Sequence, residues 1–258
     1  MARSIKKEPS SDRRKFMKTA AIVAGGALIA STVNPFKYML FAATEPKNEG
    51  PWYGIGIDIE KCIGCGNCAK SCKIENDVPI EPFFFRSWVE KYKIMENGDV
   101  HVESPNGGID GFAEDMVDEG VFKSFFVPKM CNQCYQSPCV QVCPVGATFV
   151  SPDGVVLVDP NYCIGCRYCI QACPYGCRYL HPVKKVADKC DLCYHRITKG
   201  DDPACMITCP TGARIYGDLR DKKGKLHKFI KEHNCQVLKP DMNTGSKLYY
   251  NDLNMEVR

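Results

Sequence analysis

Apolar and polar residues alternate most clearly through "VEKYKIMENGDVHVES" (89–104), on both sides of Asn97-Gly98. Period two marks half-buried strands, and Asn-Gly between two such runs predicts a β-hairpin with a type I′ turn. "SPNGG" at 104–108 predicts a loop. "GIG" at 54–56 reads as a glycine-rich strand, because it lacks the third glycine of a nucleotide fingerprint. Leu226 to His233 predicts a helix, and the basic run "DKKGKLHKFIK" (221–231) is then its solvated face rather than a docking surface. An extended tail containing "KLYYND" follows. Near the start, Ala20 to Val33 is weakly apolar, about 14 residues long and interrupted by two glycines, which is too little for a bilayer span. No run after residue 50 reaches the roughly 18 apolar residues that a span needs.

These elements leave most of the 258 residues in turns and loops, as 21 Gly and 17 Pro also suggest. Eighteen cysteines, several times ordinary usage, explain why. Sixteen fall into four groups of four: Cys62, Cys65, Cys68, Cys72; Cys131, Cys134, Cys139, Cys143; Cys163, Cys166, Cys169, Cys173; and Cys190, Cys193, Cys205, Cys209. Short spacings bend three thiolates around one corner of a cubane. The third and fourth cysteines are four apart in every group, about one helical turn, so the fourth points away from its own loop. It serves a second cluster, as in two-cluster ferredoxins with the C-x2-C-x2-C-x3-C-P run.

Four [4Fe–4S] clusters are therefore expected, with iron held only by these cysteines. The first takes Cys62, Cys65, Cys68 and Cys209. The second takes Cys131, Cys134, Cys139 and Cys173. The third takes Cys163, Cys166, Cys169 and Cys143. The fourth takes Cys190, Cys193, Cys205 and Cys72. Gly64, Gly66 and Gly165 sit inside the loops, where a missing side chain lets backbone N–H groups approach sulfur. Structural zinc uses C-x2-C pairs, but not twice in one loop with a Cys-Pro ending. Disulfides suit an even cysteine count, yet x2 spacing makes awkward partners. No C-x-x-C-H string for haem occurs.

The repeat "CPVGA" (143–147), "CPYGC" (173–177) and "CPTGA" (209–213) confirms a recurring module. It aligns Cys177 with Ala147 and Ala213, so Cys177 is a packing residue rather than a ligand. Cys235 stands alone and is read as structural. The first group departs from the pattern, with Lys73 in place of proline.

Charge separates the N-terminus from the body. Residues 1–43 hold eight Lys/Arg against two acids, which leaves the rest of this +4 chain at −2. Such a body does not suit nucleic acid. Residues 1–43 read as an export signal: "SDRRKFMK", with Arg13 and Arg14 adjacent, resembles the twin-arginine motif. Export in the folded state suits a cluster protein, because unfolded thiolates would meet an oxidising periplasm. A cleavage site at "FAAT" (41–44) is imperfect, and a retained anchor is the alternative.

The fold class expected is α+β, with two nested bacterial-type double-cluster ferredoxin modules, a β-hairpin insertion and a C-terminal tail. Its parts are the signal (1–43), an outer module (52–130 and 177–225, with the insertion at 73–130), an inner module (131–176), and a C-terminal helix and extended tail (226–258).

Four ferredoxin-type groups in this order, the insertion after the first, and the closing "VLKPDMNTGSKLYY" resemble the four-cluster iron–sulfur subunits of the DMSO-reductase class of respiratory complexes. The likeness is greatest to the periplasmic branch, as in tetrathionate, polysulfide and formate-dependent nitrite reductase systems and related menaquinone-linked complexes. The resemblance implies a non-catalytic electron-transfer subunit with no small-molecule substrate of its own. Its partners would be an NrfD-type integral membrane quinone subunit and a molybdopterin catalytic subunit or multihaem cytochrome. A free-standing periplasmic polyferredoxin is the alternative, although the insertion and tail favour a complex. An enzyme in its own right lacks support, since the five His are scattered and no H-E-x-x-H occurs.

Overall fold

The computed structural model describes residues 50–81, 83–112 and 120–257. The expected export signal, with Arg13 and Arg14, lies outside the described residues. Among those described, no helix is long and apolar enough to cross a membrane.

Three short strands make the central sheet. β1 (Tyr53–Ile57) lies between β9 (Arg214–Asp218), antiparallel, and β10 (Leu248–Tyr250), parallel. Ile55 and Ile57 are fully buried on one face of β1. The glycines read as a strand from sequence have a steric reason. A Cβ on Gly56 would lie 2.6 Å from the Phe229 ring, so glycine lets helix α6 (Lys225–Glu232) lie close on the sheet. Leu226 and Phe229 of α6 are buried, worth roughly 1.5–3 kcal/mol each, while its lysines face outward. The basic run is thus a solvated face, as expected.

The expected extended stretch forms, but as strand β10 within the central sheet rather than as a free tail. Leu248 and Tyr250 are fully buried, and the Tyr250 hydroxyl donates to the Pro128 carbonyl at 3.0 Å. A three-residue run has no partner nearby in sequence, so its place in a sheet with β1 is visible only after folding.

The hairpin forms as β2 (Ser87–Met95) and β3 (Val100–Glu103), but β2 also pairs along its length with β4 (Val121–Met130). The insertion is therefore a three-stranded sheet ordered β3-β2-β4. Its turn is not type I′. That turn needs positive φ at both central residues, and only Gly98 of the pair has it, at 88°. Met95 N–H bonds the Asp99 carbonyl at 2.8 Å, closing a three-residue loop, while Asn97 Oδ1 accepts from Asp99 N–H at 2.9 Å. The asparagine side chain thus stabilises a different turn from the one its dipeptide suggests.

Small elements frame the cysteine loops: α1 (Asn67–Glu75), α2 (Pro138–Gln141), α3 (Tyr168–Gln171), α4 (Tyr194–Ile197) and α5 (Ala204–Ile207), with the hairpins β5 (Thr148–Val150)–β6 (Val156–Val158) and β7 (Tyr179–Leu180)–β8 (Ala187–Asp188). Helices pack across groups: α1 lies on α5, and α2 on α3.

Candidate iron–sulfur sites

Each loop turns at its third position. Gly64, Gln133, Gly165 and Leu192 stand there with φ of 71°, 48°, 68° and 59°. Glycine adopts this left-handed backbone freely; Gln133 and Leu192 need support. Gln133 is fully buried, donating Nε2 to the Cys190 carbonyl at 2.8 Å and accepting Val156 N–H on Oε1 at 2.8 Å. Sequence reasoning found the two glycines but missed Gln133 and Leu192, because neither residue type signals a turn. The glycines also admit close neighbours: a Cβ on Gly64 would meet Phe126 at 2.4 Å.

The repeat after the fourth cysteine has a local function. Gly146, Gly176 and Gly212 share φ of 67°, 64° and 65°, which folds the backbone back over the preceding thiol. Burial works against ionisation of Cys143, but backbone N–H groups of Thr148, Val145 and Ala147 hold its thiol below the ordinary range. Cys209 is held down the same way, against burial, by the Thr211 hydroxyl and the backbone of Ala213, Thr211 and Arg214. Cys173 falls to about 6, chiefly through its hydrogen bond with Cys177, with backbone help from Cys177 and Tyr175. By contrast, burial pushes Cys62 and Cys205 up to about 11 and Cys134 to about 12. Such thiols bind iron only by releasing a proton.

Lys73 explains the exception. Without proline, α1 runs on to Glu75, and Lys73 Nζ donates to the carbonyls of Pro79, Ile80 and Glu81 at 2.7, 3.3 and 3.0 Å. Burial and then the nearby thiols Cys205 and Cys193 raise the Cys72 thiol. In place of a backbone turn, Asn76 Nδ2 donates to Cys72 Sγ and Cys193 Sγ, each at 3.6 Å. Arg86 fixes that amide by donating to Asn76 Oδ1 at 3.1 Å, and is itself held by Asp188 and Asp191 at 2.8 and 3.0 Å. No sequence signal marked Asn76 or Arg86.

Folding gathers cysteines that are distant in sequence. Cys62, Cys65, Cys68 and Cys209 line one cavity, and Cys131, Cys134, Cys139 and Cys173 line another. Cys72 and Cys190 face each other and Cys205, and Cys193 faces Cys72. Cys163 and Cys166 lie beside Cys169, and Cys143 lies two residues beyond the end of α2, which packs on the helix carrying Cys169. Cys177 is buried and hydrogen-bonds the Met130 carbonyl at 3.1 Å, while Cys235 is half-buried near the Phe229 carbonyl. All eighteen cysteines are free thiols, against the disulfide reading.

The residues fit cubanes. Among those described, no three Cys, His, Asp or Glu converge as a single metal ion requires; the thiols ring cavities instead. Asn132 Nδ2 and Arg178 Nε line the Cys131 cavity, both buried without a hydrogen-bond partner. The sulfur atoms of a cluster supply such donors with acceptors.

Two profiles described as "4Fe-4S dicluster domain" match residues 61–147 and 122–219. The sequence is 34% identical to the B subunit of tetrathionate reductase from Salmonella typhimurium, over 93% of this protein and 88% of that one. It is 35% identical to the B component of polysulfide reductase from Wolinella succinogenes, over 76% and 92% respectively. To protein NrfC of Escherichia coli it is 33% identical, over 92% and 93%.

Proposed function

Because the protein belongs to the four-cluster iron–sulfur subunits of the DMSO-reductase class of respiratory complexes, we propose that it relays electrons along one line of clusters, in the order third, second, fourth, first. It is an electron-transfer subunit of a respiratory reductase complex, and it carries four [4Fe–4S] clusters. Those clusters supply one-electron carriers. The protein's own residues hold them in sequence, shield them and donate hydrogen bonds to their sulfur ligands.

The observation that carries the order is the pattern of exposure. Of the sixteen grouped cysteines only Cys65 and Cys166 are exposed, one in the first set and one in the third. These are the two ends of the series. Between them, Arg178 faces both the third and second sets, Gln133 links the second loop to the Cys190 carbonyl, and Arg214 faces both the fourth and first sets. This supports the nested pairing, with the inner pair at one end and the outer pair at the other.

The finer reading is a periplasmic subunit, exported folded through the twin-arginine signal of residues 1–43 and held at the membrane by its partners. One end meets an NrfD-type quinone subunit, and the other a molybdopterin subunit or multihaem cytochrome. Fractionation of a producing cell under mild detergent tests it. The protein should co-purify with an integral membrane protein in the periplasm-facing membrane fraction. Recovery as a free soluble protein after gentle lysis would overturn the partnered reading.

A further inference from the structure

The repeated turn continues differently in its three copies. Five residues after the fourth cysteine stand Thr148, Arg178 and Arg214. Both arginines are only 5% exposed. Arg178 lines the Cys131 cavity; Nη2 donates to Cys139 Sγ at 2.9 Å, Nη1 reaches Thr148 Oγ1 at 3.4 Å, and Nε has no partner. Its charge faces Cys139 and Cys131 of the second set and Cys169 of the third. Arg214 lines the Cys62 cavity, donating to Ser87 Oγ at 2.8 Å and approaching Met130 Sδ at 3.3 Å. Its charge faces Cys68 and Cys62 of the first set and Cys205 of the fourth.

Among the described ion pairs neither arginine meets a carboxylate. A buried cation without a counter-charge is strongly unfavourable. The sulfurs that each arginine faces belong to two ligand sets at once, so the anion that compensates it is shared. We propose that Arg178 and Arg214 are inter-cluster cations, each set between the two clusters of one ferredoxin pair, stabilising both reduced states and raising both potentials together. Charge, burial and hydrogen bonds to sulfur are the protein's means of setting a cluster's potential. The turn that wraps the fourth thiol also delivers the guanidinium, which is why both arise at the same offset. At the remaining copy, the first along the chain, Thr148 accepts a hydrogen bond from Arg178 instead, so the repeat supplies one arginine per pair.

This inference rests on the nested pairing. EPR-monitored redox titration of the full, anaerobically purified protein tests it, with signals assigned by Cys131→Ala and Cys163→Ala. Arg178→Gln should move both inner signals to lower potential, the reduced-to-oxidised ratio at fixed ambient potential falling about tenfold, or ~59 mV for one electron. The other two signals should stay. Arg178→Lys should restore most of the shift, which a merely structural role would not predict. Arg214→Gln should move the other pair.

Unmoved signals, or one moved signal per variant, overturn the assignment. If the cysteine variants contradict the pairing, the pairing fails and takes this assignment with it; if they support it while potentials stay fixed, the arginine assignment alone fails. Wild-type protein with 15N-labelled arginine side chains removes dependence on variant folding. Pulsed EPR should show nitrogen couplings in both inner signals, and their absence from either overturns the proposal.

Discussion

Cys72→Ala is the sharpest perturbation, because Cys72 lies in the first cysteine group but is expected to serve the fourth cluster. Its neighbours in sequence are Cys62, Cys65 and Cys68. In the fold it is 5% exposed, faces Cys205 and Cys193, and shares the Asn76 amide with Cys193. The intact protein should hold about sixteen iron and sixteen sulfide, four of each per cubane. Removing Cys72 leaves Cys190, Cys193 and Cys205, enough thiolates to fix three corner irons. Iron should therefore fall to about fifteen if a three-iron remnant persists, or about twelve if the cluster is lost. The first set, with Cys62, Cys65, Cys68 and Cys209 around their own cavity, should be untouched. Iron and acid-labile sulfide analysis gives the count, and EPR of the reduced protein gives the identity. Cys72→Ala and Cys190→Ala should lose the same signal, and Cys62→Ala a different one. If Cys72→Ala instead matches Cys62→Ala, the crossing of fourth cysteines is refuted. Stoichiometric zinc, or iron near eight in the intact protein, would remove the four-cluster basis altogether.

Arg13→Lys combined with Arg14→Lys should leave folded, cluster-loaded protein in the cytoplasm; periplasmic protein from the double variant would mean that the signal was misread. Cys177→Ala, which installs the residue found at the equivalent positions 147 and 213, should keep all iron and cost about 1 kcal/mol for the lost thiol hydrogen bond. Iron loss there would make Cys177 a ligand. Gly146→Ala meets nothing within 4 Å, so its effect isolates the left-handed backbone. Thermal denaturation of the anaerobic protein should show a cost of roughly 1–2 kcal/mol, and no change would mean that the turn relaxes freely.

Much of the site was legible because its grammar is local. Three thiolates on a tight loop, a fourth one helical turn on, and a proline-glycine turn behind it are consequences of short-range geometry. The spacing of Cys131, Cys134 and Cys139 therefore announces a cluster loop without help from the rest of the molecule. The solvated helix at 225–232 was legible for the same reason, as its apolar pair recurs at helical spacing. What escaped was whatever depends on contacts between distant segments. Asn76, Arg86 and Gln133 have no pattern of their own; folding carries Asn76 to the Cys193 sulfur, Gln133 to the Cys190 carbonyl, and Arg86 to the Asn76 amide and the carboxylates of Asp188 and Asp191.

Residue type and separations of a few residues were enough to set the number of clusters and to nominate sixteen cysteines as their ligands. Folding alone reveals that "KLYY" closes the central sheet rather than trailing from it, that the insertion pairs β2 with β4 as well as β3, and that two buried arginines stand between ligand sets. The physical reason is reach. Backbone geometry over four residues is rigid enough to read, but the pairing of Ile55 with Leu248, and the placing of an uncompensated charge, depend on which surfaces burial puts in contact.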